Sequence, residues 1–369
     1  MWTRRGAARA WAVGAGAGAG AALFAYRAPA ARAEPGAWGG TDWSAAADKK
    51  PMVGLAVKAE NLTTLVIKIL TAVGSSKEEA TIVADNLVES NLKGHDSHGV
   101  GYLTRYIPGI QAKLLKVNQH AQVVSERGPF VHIDGNLGFG QVIGKEATQL
   151  GIEKCKQHGV AVVGIKNSHH LARIGKFAEM CAQEGFVAIH FTNVAGHDPL
   201  VAPFHGTDAR LGTNPFTIAF PALASEDGQP ILLDYATSEL ALGKVREYQT
   251  AGKALRPGVL LDKHGNPTTD SNCLPPDHGA ILPFGSEKSG YKGYGLAMMC
   301  ELLGGVMTGG YTIEPSHFRS HKVIVNSMTA IIIDPAFLGG SAAQLKDEAT
   351  RLCDYVKASP SRHADAPYA

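Results

Sequence analysis

Two histidine clusters in the sequence contain the residue types that acid/base chemistry needs. The first is Gly94-His95-Asp96-Ser97-His98-Gly99, and the second is Lys166-Asn167-Ser168-His169-His170-Leu171-Ala172-Arg173-Ile174-Gly175. Imidazole is the side chain whose ordinary pKa suits proton transfer near neutral pH. Buried structural histidines and a capped helix start are alternative interpretations. A metal shared by His95 and His98 is a third, but no further ligand set has metal-site spacing, and we therefore predict no metal site.

The second cluster also has features of an anion site. The backbone N–H groups of a helix start, together with Arg173, suit a carboxylate or a phosphate. Three further polar segments lie at residues 211–216, 233–238 and 290–295, and each of them alone is typical of an ordinary turn or cap. The sequence contains 43 glycines in 369 residues, above the ~7 % typical of proteins. Many of them cluster in these loops, which favours a functional interpretation.

The segment from Gly138 to Gly144 is similar to a phosphate-binding loop but differs from it in two ways. A Rossmann loop has the pattern G-x-G-x-x-G, followed about 20 residues later by an acid that binds the ribose. Here the third glycine comes one residue late, and the next strand ends in Ile165-Lys166-Asn167 without an acid. We therefore predict a tight turn that enters a helix.

Alternating helical and strand patterns surround these clusters and must position them. Apolar residues at helical spacing predict helices over 58–92, with a cap at Ser75-Ser76, and over 102–115, with a break at Pro108. Residues 122–134 are strand-like. Further helices are expected at 144–157, 174–183, 294–307 and 342–357, and further strands at 160–165, 187–191, 216–220, 231–235 and 329–333. This alternation predicts an α/β or α+β fold.

Composition excludes several classes of protein. With 45 % hydrophobic and 18 % charged residues, the bulk of the chain is not disordered. A net charge of +2 gives no general attraction to phosphate backbones, so we expect no nucleic-acid partner. Five cysteines without a CxxC pair argue against a disulfide framework and a zinc ribbon, and they favour a reducing compartment.

The first 52 residues have the composition of a targeting leader and a linker. Residues 1–33 contain five arginines and no acid, and their apolar stretch at 10–26 is rich in alanine and glycine. A membrane span needs about 20 apolar residues, so no stable membrane insertion is expected. The composition favours a mitochondrial transit peptide. A secretory signal, which implies a secreted or periplasmic protein, a weak anchor, and a plain tail on a cytoplasmic protein are the alternatives.

The motifs taken together resemble a known enzyme family. In chain order they are Gly94…Ser97-His98-Gly99, Gly140-Gln141, Asn167-Ser168…His170, Gly212-Thr213-Asn214-Pro215, Asp234…Ala236-Thr237-Ser238…Gly243-Lys244, Pro267-Thr268-Thr269-Asp270 and Lys292-Gly293-Tyr294-Gly295-Leu296. This order, over residues 55–360, resembles the malate/L-lactate dehydrogenase family that lacks a Rossmann fold. The fuller strings at 94–99, 167–170, 202–206 and 233–238 are similar to its bacterial hydroxycarboxylate dehydrogenase branch.

The resemblance implies an α/β fold in which a family-specific, non-Rossmann mixed sheet binds the dinucleotide beside a helical domain formed from both chain ends. The implied divisions are a leader at 1–52, a helical substrate and dimerisation part at 53–125, an NAD(P)-binding α/β domain at 126–285, and a C-terminal helical part at 286–369 that packs on 53–125. The implied activity interconverts a 2-hydroxy acid and a 2-oxo acid with NAD or NADP. A homodimer is also implied.

The resemblance assigns roles to individual residues. His98 with Ser97 matches the acid/base loop, His170 is a second candidate proton acceptor, and Asp234 is a candidate orienting group. The cofactor contacts implied are Ala172, Arg173, Ile174, Leu232, Leu233, Asp234, Tyr235, Ala236, Lys292 and Asn326. The substrate contacts expected are Tyr102, Arg105, Tyr106, Thr213 and Asn214.

Two departures from the family pattern leave alternatives open. Tyr102 stands where many members have an arginine that grips the substrate carboxylate, so Arg105 or Arg173 could serve instead, or the substrate could be bulkier, such as an aromatic 2-oxo acid. The usual Pro-Gly-Glu arm is missing after residues 359–362. A cyclic imino acid reductase and a catalytically lapsed relative that acts as a binding protein are therefore the alternative functions.

Overall fold

A computed structural model describes residues 57–221, 229–274, 278–320, 323–339 and 341–360. The predicted leader at 1–52 lies outside the described residues. Across the described part, none of the helices is long and apolar enough to cross a bilayer.

Three N-terminal helices build a small apolar cluster. They are α1 (Ala59–Ala72), α2 (Lys77–Leu92) and α3 (Leu103–Gln111). The predicted cap is confirmed, because the hydroxyl of Ser76 accepts the Glu79 N–H at 3.1 Å. The predicted break at Pro108 is wrong, since α3 runs through it. A proline inside a helix removes one hydrogen bond and crowds the preceding turn, and α3 ends three residues later, at Gln111. The cluster takes its buried members from residues 66–142.

A seven-stranded mixed sheet forms the centre of the molecule, in the order β1-β2-β3-β10-β4-β5-β6. Its strands are β1 (Gln122–Arg127), β2 (Phe130–Asp134), β3 (Val160–His169), β4 (Val187–Ala195), β5 (Pro215–Phe220), β6 (Ile231–Ala236) and β10 (Val325–Ile333). Only the β2–β3 pair is parallel. The predicted mixed, non-Rossmann sheet is therefore confirmed. The single strand-like region at 122–134 is instead a hairpin, which turns at Gly128 with a positive φ of 52°.

Two helices, α4 (Gly140–His158) and α5 (Gly175–Gln183), join the strands in one core that includes Ile143 and Phe177. The glycine-rich segment is explained by packing rather than by a nucleotide. A Cβ on Gly140 would lie 2.2 Å from the carbonyl oxygen of His170. The helix starts four residues earlier than predicted, because Gly140 lets it approach the 170–171 backbone.

The remaining elements form a second layer around a smaller sheet, ordered β8-β7-β9. They are β7 (Leu260–Leu261), β8 (Pro267–Thr268), β9 (Ala280–Ile281), α6 (Leu242–Thr250), and α7 (Ser286–Cys300) with the π-helix Glu301–Val306. After β10 come α8 (Ala336–Gly339) and α9 (Ala342–Lys357). The segment 286–369, predicted as helical, thus also supplies a central strand. Its packing on residues 53–125 stays a prediction.

Candidate functional site

Two adjoining cavities lie between the N-terminal helices, the sheet and α6. One has a volume of about 730 Å³ and the other about 580 Å³. Seven residues line both of them: Ser97, His98, Ala172, Ile174, Thr213, Pro215 and Ala241. We call the larger one the first chamber and the smaller one the second chamber. Both histidine clusters of the sequence meet where the chambers adjoin.

His98 lies on the loop between α2 and α3, and the side chain of Asn91 holds this loop in place. The amide nitrogen of Asn91 donates to Asp96 at 2.5 Å, and its oxygen accepts the Val100 N–H at 2.9 Å. The Ser97 hydroxyl is 3.0 Å from Nδ1 of His98. Burial lowers the pKa of His98 to about 4, although the Asp234 charge acts in the opposite direction. His98 is therefore a neutral imidazole at neutral pH.

His170 stands behind His98, with ring centroids 5.5 Å apart. Its Nδ1 is 2.9 Å from the hydroxyl of Tyr106, and that hydroxyl oxygen accepts the Gln141 amide at 2.8 Å. The Tyr106 O–H then donates to Nδ1, which leaves a neutral ring with Nε2–H as a donor. Burial first, and neighbouring positive charges next, lower the pKa of His170 well below its ordinary value.

The predicted substrate residues divide into two groups. Tyr102, Arg105 and Thr213 line the first chamber, and the Tyr102 ring stacks on His170 with centroids 4.1 Å apart. Tyr106 is fully buried and reaches the chamber only through His170. Asn214 is also fully buried; its amide donates to the carboxylate of Glu301 at 2.7 Å and its oxygen accepts the Val194 N–H. Asn214 therefore ties the sheet to the π-helix.

The predicted cofactor residues lie mostly in the second chamber. Its lining includes Ala172, Arg173, Ile174, Leu233, Asp234, Tyr235 and Ala236. The neighbouring Leu232 packs against the core instead. Asn326 lines the first chamber, where its side chain accepts the Leu171 N–H at 2.8 Å.

Three of the predicted residues have partners or positions that bear on their roles. Asp234 accepts the Gly175 N–H at the start of α5 and the Thr217 hydroxyl, at 2.8 and 2.7 Å, so it does not orient His98 through a hydrogen bond. Arg173 is bound by the carboxylates of Glu89 and Glu179 at 3.1 and 2.8 Å.

Lys292 is the third of these residues. The helix expected at 294–307 begins instead at Ser286, as α7, which puts Lys292 in its second turn. Its side chain is exposed and lines neither chamber. A pyrophosphate contact from this lysine stays a prediction.

Two residues of the first chamber were not predicted from the sequence. His197, nine-tenths buried, directs Nδ1 to the Asp198 carbonyl, and burial lowers its pKa to about 4. His197 follows the end of β4, where the chain enters a polar loop, and this position could have predicted it as a site residue. Arg246 projects from α6 into the chamber. No local pattern distinguishes it from an ordinary exposed arginine on a helix.

The site thus joins a chamber rich in cationic and imidazole groups to a second chamber with apolar walls. Within the residues described, no three histidine, cysteine or acidic side chains cluster as a metal site would require. Fold and site together define a mixed α/β protein that can bind an anion beside neutral imidazoles. The sequence model of the malate/L-lactate dehydrogenase family matches residues 57–368, and the chain belongs to that family.

Individual relatives agree with this assignment. Hydroxycarboxylate dehydrogenase B of Escherichia coli O157:H7 is 45 % identical over 304 residues, which cover 82 % of this chain and 81 % of the relative. A solved E. coli structure described as a malate/lactate dehydrogenase candidate superposes with a TM-score of 0.80 at 44 % identity, covering 86 % of both chains. The Δ1-piperideine-2-carboxylate reductase of Pseudomonas syringae has a TM-score of 0.73 at 29 % identity, covering 83 % and 90 %.

Proposed function

We propose that this protein is an NAD(P)-dependent oxidoreductase that interconverts 2-hydroxy acids and 2-oxo acids. The observation that carries the proposal is the position of His98 in the wall common to both chambers. A hydride and a proton must leave the same carbon–oxygen unit, so the acid/base group has to stand where cofactor and substrate meet.

The lining of the second chamber suits a nicotinamide cofactor. Its walls are largely apolar or aromatic, and the rings of Tyr235 and Phe284 lie 5.6 Å apart there. Apolar walls beside the substrate help to keep water away from the hydride. When bound, the nicotinamide supplies or accepts the hydride.

The chain's own residues perform the proton transfer and the binding. Neutral His98 accepts the hydroxyl proton during oxidation, and the Ser97 hydroxyl at its Nδ1 holds the ring in orientation. His170, with its Nε2–H, donates to the substrate oxygen. Arg105 lines the same chamber and binds the carboxylate through charge-assisted hydrogen bonds.

A pair of matched variants tests the assignment. We expect His98→Gln to lower kcat by about 10²- to 10⁴-fold, the range of general acid/base catalysis. His170→Gln should lower activity less, because it removes a donor and not the base. Lys253→Gln, an exposed residue beyond α6, is the matched control. Full activity of His98→Gln would refute the role of His98.

Two other functions give different results in the same assay. A cyclic imino acid reductase is supported by the likeness to the piperideine-carboxylate reductase, and it would reduce cyclic imines faster than any 2-oxo acid. A lapsed enzyme would bind no reduced cofactor. Titration of NADH and NADPH fluorescence, followed by initial rates with a panel of 2-oxo acids and one cyclic imine, separates the three.

We also propose that the protein works as a homodimer. On α9, Leu352, Tyr355 and Val356 are exposed by 61, 80 and 55 %, and no residue of this helix is buried. Such an apolar face is typical of an interface. Light scattering on a sizing column should give twice the chain mass, and a monomer at micromolar concentration would contradict the proposal.

The leader at 1–52 is proposed to direct the protein to mitochondria, because its first 33 residues are rich in arginine and contain no acid. A fluorescent fusion of these residues should enter mitochondria, and the chain lacking them should stay in the cytosol. Secretion of the fusion, or its retention in the cytosol, would refute this proposal.

A further inference from the structure

The loop at residues 95–99, which we call the acid/base loop, lies between two helices that belong to different apolar clusters. On one side, the loop continues into Val100, which packs against the cluster of α1, α2 and α3. On the other side is α6, which is anchored by Val245 in the cluster that contains Leu260 and Ile281 of the small sheet. His98 therefore stands at the junction of two separately packed parts of the molecule.

The contact between the acid/base loop and α2 depends on a glycine. A Cβ on Gly99 would lie 2.3 Å from the side-chain oxygen of Asn91. The loop therefore wraps closely around the Asn91 amide, which also forms hydrogen bonds with Asp96 and with the Val100 N–H. These contacts fix the loop from the side of α2.

The contact between the acid/base loop and α6 depends on a second glycine, Gly243. A Cβ on Gly243 would lie 2.2 Å from Cβ of Ser97 and 2.8 Å from its Cα. Non-bonded carbon atoms prefer a separation of about 3.5 Å, so a methyl group at this position would displace the loop from α6 by about 1 Å. Because the Cα of Ser97 belongs to the backbone, a new rotamer of Ser97 cannot relieve this overlap.

Ser97 connects this contact to the base. Its hydroxyl lies 3.0 Å from Nδ1 of His98, and among the described residues it is the one hydrogen-bond partner of that ring. In a neutral imidazole, the group bound to one nitrogen determines which nitrogen carries the proton. To accept a proton from a substrate, His98 needs its own proton on Nδ1, with the Ser97 oxygen as acceptor, and a free Nε2.

We propose that Gly243 is a positioning residue for His98. The missing side chain of Gly243 lets α6 press on Ser97, and this contact keeps the Ser97 hydroxyl at Nδ1 of the base. The inference rests on the proposed function, in which His98 accepts the proton. Leu242 and Gly243 also line the first chamber. The first turn of α6 therefore both closes the chamber and orients the base.

The variant Gly243→Ala tests the proposal by adding one methyl group. A displacement of about 1 Å at a catalytic group costs about 100-fold in rate, so we expect kcat to fall by that factor. The Kd for NADH, measured by fluorescence titration, should change less than about threefold, because the cofactor does not bind to Ser97 in this proposal. Gly101→Ala is the matched control, since Gly101 lies just beyond the same loop with open space around it, and it should keep full activity. An unchanged kcat of Gly243→Ala would overturn the proposal.

A double-variant cycle shows whether Gly243 acts through Ser97. Ser97→Ala removes the hydroxyl and should itself lower kcat. Residues that act through one interaction are not additive, so adding Gly243→Ala to Ser97→Ala should lower kcat less than about threefold further. A full additional loss of about 100-fold would overturn the proposed route through the Ser97 hydroxyl.

Nuclear magnetic resonance of ¹⁵N-labelled histidine gives a readout that does not depend on turnover. The signals of His98 are identified as those that the His98→Gln variant lacks. At pH 7 the full-length wild type should have its His98 proton on Nδ1, and Gly243→Ala should show a fraction with the proton on Nε2. A wild-type proton on Nε2, or an unchanged spectrum of Gly243→Ala, would overturn the inference.

The same samples keep the two proposals separate. If the wild type reduces no 2-oxo acid, the proposed function fails, while the position of the His98 proton still decides the role of Gly243. Circular dichroism should show that Gly243→Ala is folded, because the short acid/base loop yields more easily than the anchored helix α6. An unfolded variant would overturn the proposal, since it would mean that the contact supports the fold rather than the base.

Discussion

The low pKa of His98 predicts an unusual pH dependence for the oxidation of a 2-hydroxy acid. The base must be neutral to accept a proton, and burial lowers the pKa of His98 to about 4. At pH 5 an imidazole of pKa 4 is about 90 % neutral, whereas one with the ordinary value of 6.5 is only about 3 % neutral. The structure therefore predicts about thirty times more oxidation activity at pH 5 than an unperturbed histidine would allow.

The reduction of a 2-oxo acid should depend on pH in the opposite sense. Reduction needs the protonated ring, whose fraction rises about tenfold for each unit of pH lost between 7 and 5. We expect kcat/KM for reduction to rise over this range while kcat/KM for oxidation stays nearly flat. Burial also lowers the pKa of His197 to about 4 and lowers the pKa of His170 well below its ordinary value. We therefore expect neither of these histidines to produce a change in rate near pH 6.5.

The assay is initial-rate measurement of kcat/KM in both directions from pH 4.5 to 8, at constant ionic strength. The His98→Gln variant is measured alongside, and its residual rate should lack the acid limb. An oxidation profile that falls with a pKa between 6 and 7 would refute the reasoning, because it would mean that the chamber does not desolvate His98.

Three further predictions concern the scaffold. Gly140→Ala should destabilise the fold by about 1–3 kcal/mol in thermal unfolding, because its Cβ meets the His170 backbone at 2.2 Å. Gly295→Ala is the control; it lies inside α7 with open space around it and should stabilise the fold by up to about 1 kcal/mol. Tyr106→Phe should lower the free energy of unfolding in urea by about 1–3 kcal/mol, since it leaves Nδ1 of His170 and the Gln141 amide without their partner. Unchanged stability would argue against the hydrogen bonds of the Tyr106 hydroxyl. Glu179→Gln should lower the free energy of unfolding by about 2–4 kcal/mol at pH 7. Burial alone would raise the pKa of Glu179, but hydrogen bonds from its basic partners lower it below the ordinary value. The stabilisation by the Glu179 carboxylate is therefore present above pH 4.5, and the difference between the variant and the wild type should shrink as the pH falls below that value.

The sequence predicted the parts of the fold that depend on local pattern. The order of the predicted helices and strands, and the Ser76 cap, follow from periodicity and neighbouring residue types, and the structure confirms them. The helix α6 and the small sheet of β7, β8 and β9 were not predicted. Both histidine clusters were recognised because loop composition is also local. Arg246 and the Asp234–Gly175 hydrogen bond were not, because they depend on contacts between segments far apart in the chain. The hairpin at Gly128 was missed although the Gly128-Pro129 pair between its strands is a local turn signal.

The place of β10 in the sheet has a consequence for synthesis of the chain. Val325–Ile333 pairs with β3 on one side and β4 on the other, so it joins two groups of strands that are otherwise separate. The ribosome synthesises both groups of strands long before it synthesises β10, the strand that lies between them. Until residue 333 emerges, each group presents an unpaired inner edge, and such edges attract foreign strands. The nascent protein is therefore most vulnerable to aggregation late in translation, when a chaperone would help it most.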